Sequence, residues 1–196
     1  MIKTLPLIFL AAAAGFGSVA HADKAVLAGG CFWCMESDFE KLPGVSGVVS
    51  GFTGGTLKNP TYNGNHKGHY EAVEITYDPK VVNYQGILDH YWVNVDPFDA
   101  RGQFCDKGPS YLSAIFVAND EEKALAEASR KKVVEEFGDK KVVTPILAAS
   151  TFYPIAGKES YHQDYYKNNP VRYKYYRWSC GRDQRLKDIW GERATH

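Results

Sequence analysis

The stretch AVLAGGCFWCMESDFEKL, residues 25–42, decides the fold. Its opening apolar run stops at Gly29-Gly30 and reads as a strand ended by glycines. From Cys31 the pattern changes: Phe32, Met35, Phe39 and Leu42 recur at helical spacing and fall on one stripe. A strand, a glycine pair and a helix therefore follow one another, with a cysteine at the junction. Trp33 lies well off the stripe, toward solvent or a ligand, where a small apolar-substrate pocket needs a large aromatic. A tryptophan that only covers a loop fits the same placement.

The alternation continues along the chain. VSGVVSGF (45–52) reads as the next strand, followed by a polar loop from Thr53 to His69. EAVEITY (71–77) alternates at the strand period and stops at Asp78-Pro79. Behind Asn83, a good N-cap, Tyr84, Ile87, Leu88, Tyr91, Trp92 and Val95 mark an amphipathic helix. A loop with two prolines (96–110) leads to the strand SAIFVA (113–118). Asn119-Asp120 caps a charged helix with Leu125, Ala128, Val134 and Phe137 on its apolar side and Gly138 at its end. VVTPILA (142–148) is the last strand, and short helices near 159–167 and 183–190 close the chain. This order predicts an α/β (α+β) protein, a single-domain two-layer α/β sandwich with long loops.

Residues 1–22 are set apart from that domain. Lys3, the run LPLIFLAAAAGF and Ala20-His21-Ala22 have the form of a secretory signal peptide with its cleavage site. Pro6, Gly15 and Gly17 break the run, which is short for a membrane span; a retained anchor is the alternative. Cleavage after Ala22 leaves residues 23–196 as an exported domain without stable membrane insertion, periplasmic in a Gram-negative cell. The chain holds 23 basic and 23 acidic residues, and losing Lys3 leaves one acid in excess. That balance gives no long-range pull toward nucleic acid or an anionic membrane. VRYKYYRW (171–178) interleaves basic and aromatic residues as single-strand nucleic-acid grooves do. At this net charge it reads instead as a segment that packs the C-terminus onto the domain.

Four cysteines are too few to build a scaffold of this length, so they are read as chemistry. Cys31 at the helix start is expected to be a thiolate at neutral pH, because free N–H groups and the helix dipole favour it. Cys34, one turn deeper, gains less. A CxxC at a helix start suits redox chemistry or half of a zinc site, yet Cys105 and Cys180 form no second pair in sequence. His66 and His69 lie on a polar loop and read as surface residues. Glu71 is in phase with Val73, Ile75 and Tyr77 on the apolar face of its strand. Buried there it holds a proton at neutral pH; at the strand's start it could instead emerge into water. A thiolate beside a protonated carboxyl suits attack on a polarised atom whose oxygen leaves as it is protonated.

At these residues the chain resembles the methionine-S-sulfoxide reductase A family (MsrA). GCFW (30–33) matches its active-site motif. PTYNGNHKGHYEAVEITYDP (60–79), CDKGPSYLSAIF (105–116) and ESYHQDYYKNNP (159–170) are similar to three further blocks in the same order. The resemblance implies a two-layer α/β sandwich and thiol-dependent reduction of methionine-S-sulfoxide, free or in oxidised proteins, as repair of oxidative damage. It implies Cys31 as nucleophile on the sulfoxide sulfur, Phe32 and Trp33 as the pocket for the substrate methyl, and Glu71 as proton donor. Tyr62 and Tyr111 would hydrogen-bond near the sulfoxide oxygen, with Asp106 supporting the site. Cys31 is left as a sulfenic acid, which a second cysteine converts to a disulfide. A thioredoxin-like or dithiol reductant then resets it. No metal or organic cofactor is implied, and a monomer is expected.

The chain departs from the family pattern at Cys34, where glycine is common, and at Leu112, where arginine is usual. Cys180 stands alone near the C-terminus, in place of a Gly-rich tail with recycling cysteines. It is the expected resolving thiol, because a mobile terminal segment can swing onto Cys31 and Gly181 permits the bend. Cys34 is the alternative, and Cys105 is expected to be a buried free thiol. The rival reading is an exported thioredoxin-like thiol–disulfide oxidoreductase using Cys31/Cys34, with Thr144-Pro145 as its cis-proline. It gives Glu71 no role.

Overall fold

A computed structural model describes residues 22–138 and 140–194. The signal peptide expected over 1–22 lies outside them apart from Ala22, and no helix within them is long and apolar enough to cross a membrane. The strands are β1 Asp23–Gly29, β2 Val45–Thr53, β3 Tyr70–Tyr77, β4 Gly102–Gln103, β5 Asp106–Lys107, β6 Ser113–Val117, β7 Ile146–Ala148 and β8 Tyr153–Pro154. The helices are α1 Phe32–Phe39, α2 Tyr84–Trp92, α3 Asp120–Phe137, α4 Tyr165–Asn168, α5 Pro170–Ser179 and α6 Arg182–Trp190. Six strands form one sheet in the order β7-β6-β1-β3-β2-β8, antiparallel except for the β6–β7 pair. β4 and β5 form a separate small hairpin.

The two faces of the sheet differ because its strands alternate. Leu27, Val73, Ile75 and Ile115 point to a core filled by Phe32, Met35 and Phe39 of α1, Ile87, Leu88 and Tyr91 of α2, and Leu186 of α6. The opposite face presents Ala28, Ala72, Ala114 and Phe116, small enough for Leu147 and Phe152 to lie close. Helices α1, α2, α3 and α6 thus join one core, and the two-layer sandwich holds. Helix α2 begins where Asn83 accepts the Gly86 N–H at 2.9 Å, a cap that contributes about 1 kcal/mol. Asn119 caps α3 by accepting from Glu122 N–H at 2.9 Å, while Glu122 reaches back to Ala118 N–H.

Several expected elements change. Helix α1 stops at Phe39 rather than Leu42, ahead of Pro43-Gly44. The buried residues of α3 are Ala126, Ser129 and Val133, and Ala128 is exposed. The reason is a close approach of α2, whose Trp92 indole N–H donates to Ser129 Oγ at 2.7 Å. Only Ile146–Ala148 of the segment 142–148 joins the sheet, because Pro145 has no N–H and Val143 N–H goes to Pro97 O instead. Residues 157–162 form a 3-10 helix rather than an α-helix. Helix α5 was not expected. Its exposed side carries Val171, Tyr175 and Trp178 and its buried side Tyr173 and Arg177, the reverse of an ordinary amphipathic pattern.

Arg182, 1% exposed, fastens the C-terminal helices to the sheet. Its guanidinium donates to Gly29 O at 3.3 Å and Asn94 O at 2.7 Å, contacts Met35 Sδ, pairs with Asp38 at 3.7 Å and lies 4.4 Å from the Phe104 ring centre. Arg182→Met would leave two buried carbonyls and a buried carboxylate without this partner. We expect a loss of about 3 kcal/mol or more, read as a lower urea midpoint at unchanged slope.

Candidate active site

The site grows from the turn between β1 and α1. Gly30 has φ +84, and a Cβ there would come within 2.5 Å of Gln103 Cβ, so only glycine lets the chain turn under that buried side chain. Gln103 is fixed in turn by bonds to Asp96 N–H and Asp96 O at 2.8 and 2.7 Å. The turn delivers Cys31 as the N-cap of α1, without a side-chain cap bond, and places Cys34 one turn on. Both are buried and free, at 6% and 2% exposure, against Tyr165 and Tyr173.

Glu71 stands opposite, at the start of β3, and is 1% exposed. Its Oε2 accepts the Phe32 N–H at 3.2 Å, and Tyr111 hydrogen-bonds to it. Burial pushes its pKa up to about 8; the Phe32 and Tyr111 bonds oppose that shift and the Asp106 charge adds to it. Its burial is as the strand phase predicts. Burial likewise raises Tyr62 to about 12 and lifts Tyr111 above its ordinary value, so both hydroxyls keep their protons.

The expectation for Cys31 is corrected. Burial pushes its thiol well above the ordinary range, and the neighbouring Cys34 and Glu71 add to that. Cys34 is brought down to about 7, first by its hydrogen bond with Cys31 and then, against burial, by the Arg182 and Arg177 guanidiniums. The physical reason is local. The first free N–H of α1 is taken by Glu71, while two buried cations back the second cysteine. Of the two buried thiols, Cys34 is therefore the more readily ionised.

Aromatic rings wall the space around them. Phe32 is buried, with Phe52, Tyr62 and His162 rings 5.8–6.1 Å away. Trp33 leaves the core stripe as expected. It stacks on Tyr165 at 3.9 Å and donates from Nε1 to His162 Nδ1 at 3.1 Å. Burial lowers the His162 pKa, so the ring is neutral and carries its proton on Nε2. His162 also packs on Tyr62 at 3.9 Å. The segment 159–164 is pinned from several sides. Glu159 accepts Tyr62 and Asn63 N–H groups at 2.8 Å each, Gln163 bonds both backbone groups of Ser50, and Glu36 accepts Asp164 N–H at 3.0 Å. His162, Tyr165 and Tyr176 are contributors that residue patterns alone did not single out. The first two sit inside the quoted block 159–170, and Tyr176 lies in a stretch read only as packing.

The structure brings Cys31, Phe32, Trp33, Tyr62, Glu71, Asp106 and Tyr111 into one neighbourhood. Asp106 accepts from the Tyr176 hydroxyl at 2.5 Å, and Tyr176 packs against the Cys31/Cys34 cluster. The remaining cysteines differ from expectation. Cys105 is neither buried nor free: it is exposed and disulfide-bonded to Cys180, 75 residues away. Cys180 sits at the C-cap of α5, in a segment tied down by Arg177 and Arg182, rather than on a loose tail.

A thiol and a neutral acid facing each other across an aromatic wall, with a second cysteine in reach, define a thiol-based oxidoreductase. The family model for peptide methionine sulfoxide reductase matches residues 23–194. A peptide methionine sulfoxide reductase MsrA 2 of Caulobacter vibrioides is 48% identical over 199 residues, covering 97% of this chain and all of the relative. The MsrA of Bacillus licheniformis is 49% identical over 176 residues, covering 87% and 95%. Among solved structures, methionine sulfoxide reductase A of Corynebacterium diphtheriae aligns with a TM-score of 0.67 at 30% identity, covering 79% of this chain and 78% of that one. The chain belongs to the peptide methionine sulfoxide reductase family, and the thioredoxin-like rival is set aside.

Glu71 gives the geometry a direct check. The folded state holds this proton more tightly than the unfolded chain, so stability that is full below the ordinary value of 4.5 is lost as pH rises through about 8. Glu71→Gln keeps the shape and removes the titration. Its urea midpoint should climb relative to wild type between those two pH values, and a constant difference would place no proton on Glu71.

Proposed function

We propose that this protein reduces methionine-S-sulfoxide, free or within oxidised proteins, to methionine. The observation that carries the reading is the buried Glu71 carboxyl, which accepts the N–H of Phe32 next to Cys31 and whose pKa burial pushes up to about 8. In this reading the substrate methyl enters the pocket of Phe32 and Trp33, and the sulfoxide oxygen faces Glu71, Tyr62 and Tyr111. Cys31 attacks the sulfur while its proton passes to Cys34, to which it is already hydrogen-bonded. Glu71 protonates the sulfoxide oxygen, the hydroxyl passes to Cys31 Sγ as its bond to the substrate sulfur breaks, and methionine leaves a Cys31 sulfenic acid. Asp106 holds Tyr176 against Cys31 and adds to the rise of the Glu71 pKa.

Cys34 is the resolving thiol in this scheme, in place of Cys180. It lies one helical turn from Cys31 in the same buried cluster, whereas Cys180 is engaged with Cys105. Attack of Cys34 on the sulfenic sulfur forms the Cys31–Cys34 disulfide and releases water, across one helical turn as CxxC geometry allows. An external dithiol, of thioredoxin type or a small molecule, restores both thiols. The site is complete within one chain, which supports a monomer. We also place the enzyme outside the cytoplasm, in the periplasm of a Gram-negative cell. The support is Lys3, the apolar run and Ala20-His21-Ala22, which assign residues 1–22 to a cleaved signal and residues 23–196 to the reductase domain.

Racemic N-acetyl-methionine sulfoxide with excess dithiothreitol tests the activity, with the two epimers followed by chiral chromatography. Only the S epimer should be consumed. Cys31→Ser should abolish turnover and Glu71→Gln slow it by about 100-fold, also removing a basic limb near pH 8. Consumption of neither epimer would refute the reading. A second measurement concerns the resolving step: after one turnover, dimedone should label Cys31 in Cys34→Ser and leave it unlabelled in Cys180→Ser. The reverse pattern would return the resolving role to Cys180.

A further inference from the structure

Glu36 has no part in the chemistry so far, yet its carboxyl lies in the helix that carries Cys31, Phe32 and Trp33 and is 1% exposed. A carboxyl buried that deeply is costly unless both oxygens are bonded. Both are. Oε1 accepts the Asp164 N–H at 3.0 Å, and Oε2 accepts the Ser50 hydroxyl at 3.2 Å. Lys167, the cation of this cluster, pairs with Glu40 and Asp164 instead, at 2.5 and 2.6 Å. Burial pushes the Glu36 pKa up to about 7; its two hydrogen bonds oppose that rise, and the Asp164 and Glu40 carboxylates add to it. The Asp164 N–H keeps its acceptor in either protonation state. When Glu36 is protonated, its hydroxyl turns to Ser50 and the carbonyl oxygen stays on the amide.

The place of that amide in the chain gives the bond its consequence. Asp164 has φ 53, a left-handed conformation uncommon outside glycine. Tyr165 follows it directly, opens α4 and stacks on Trp33 at 3.9 Å. Trp33 and Glu36 are three residues apart on α1 and so share one side of it. Helix α1 thus grips the same turn twice, by the indole on the Tyr165 ring and by the carboxyl on the amide just before it. Gln163 is held separately, through both backbone groups of Ser50. The bond from Glu36 therefore fixes the turn after Gln163, which aims the Tyr165 ring. The reacting pair is held by a different bond, from Phe32 N–H to Glu71.

We propose that Glu36 is a positioning residue for substrate binding: through the Asp164 amide it sets the Tyr165 ring, and with it the Trp33 face that receives the sulfoxide methyl. This deepens the function proposed above and rests on it. Being buried, Glu36 acts through Tyr165 and Trp33 rather than by contact with substrate. It works by reach, not by charge. Its loss weakens the hold on substrate and leaves the step at Cys31 unchanged.

Three variants separate these roles. Glu36→Gln can offer its amide oxygen to the Asp164 N–H and its NH2 to Ser50. Glu36→Asp keeps the charge but is one methylene short of the Asp164 N–H, and Glu36→Ala removes both bonds. The first turnover of N-acetyl-methionine-S-sulfoxide by reduced, reductant-free, full-length protein is followed by rapid quench over a range of substrate concentrations. Half-saturation should rise about tenfold in the aspartate and alanine variants, the effect of one lost hydrogen bond, with the limiting rate within about twofold of wild type. Glu36→Gln should restore the wild-type value. If the alanine variant does not fold, the aspartate and glutamine variants carry the comparison. Unchanged half-saturation in Glu36→Asp, or a glutamine variant as impaired as the aspartate one, would overturn the proposal.

A second readout needs no turnover. The four tryptophans give four indole N–H resonances, and Trp33→Phe identifies that of Trp33. This resonance should move in Glu36→Asp and return in Glu36→Gln, while those of Trp92, Trp178 and Trp190 stay in place. A Trp33 signal that stays at its wild-type position in Glu36→Asp would refute the positioning role. A wild type that reduces no sulfoxide would instead sink the activity, with the Trp33 signal still deciding what Glu36 holds.

Discussion

One buried guanidinium sets the relative positions of nearly everything the chemistry uses. Arg182 reaches the last residue of β1, the loop after α2, the core sulfur of α1 and the ring next to Cys105. A planar cation with five fixed donors can join that many segments only if each lies in its plane or on its face. Burying the charge is costly, and the fold offsets this with Asp38, which also pairs with Arg177 at 2.8 Å. The result is that helices far apart in sequence converge under α1. The same two cations lie behind Cys34, so the strut that holds the C-terminal helices also supplies the field that charges the dithiol.

Two acids in one small space are pushed in opposite directions by what surrounds them. Glu71 sits among apolar rings and neutral hydroxyls, with Asp106 nearby, and burial dominates its titration. Cys34 is as deeply buried, but a hydrogen bond and two guanidiniums outweigh the loss of water. The pair thus favours a proton on the carboxyl side and eases ionisation on the sulfur side. A reaction that adds a sulfur nucleophile and removes an oxygen needs both states at once.

The pocket wall follows a similar division of labour. Phe32 belongs to the core and fixes the floor, whereas Trp33 is held from outside by Tyr165 and His162. Its supports come from residues 159–165, which are themselves anchored to β2 and α1 through Gln163 and Glu36. Buried, hydrogen-bonded aromatic rings have few alternative rotamers, so this ring cluster is held in one arrangement.

Local periodicity determined the strand–glycine–helix junction, the alternation that buries Glu71, both asparagine caps and the two-layer class. Each depends only on neighbours along the chain, which is why pattern alone sufficed. The blocks around Cys31, Glu71, Asp106 and His162 also made the family legible. Pattern failed where a polar residue goes inward for a distant partner. Helix α5 buries Arg177 because Asp38, 139 residues away, needs a cation, and it exposes Val171 and Trp178 in exchange. Cys34 rather than Cys31 is the more readily ionised thiol because a sheet carboxylate takes the helix N–H and two C-terminal arginines stand behind the second sulfur. Cys105 met Cys180 because a short hairpin and a buried guanidinium bring their loops together. Charge and pairing of this kind are long-range quantities: they are set by which side chains meet after folding, and only the tertiary structure decides that.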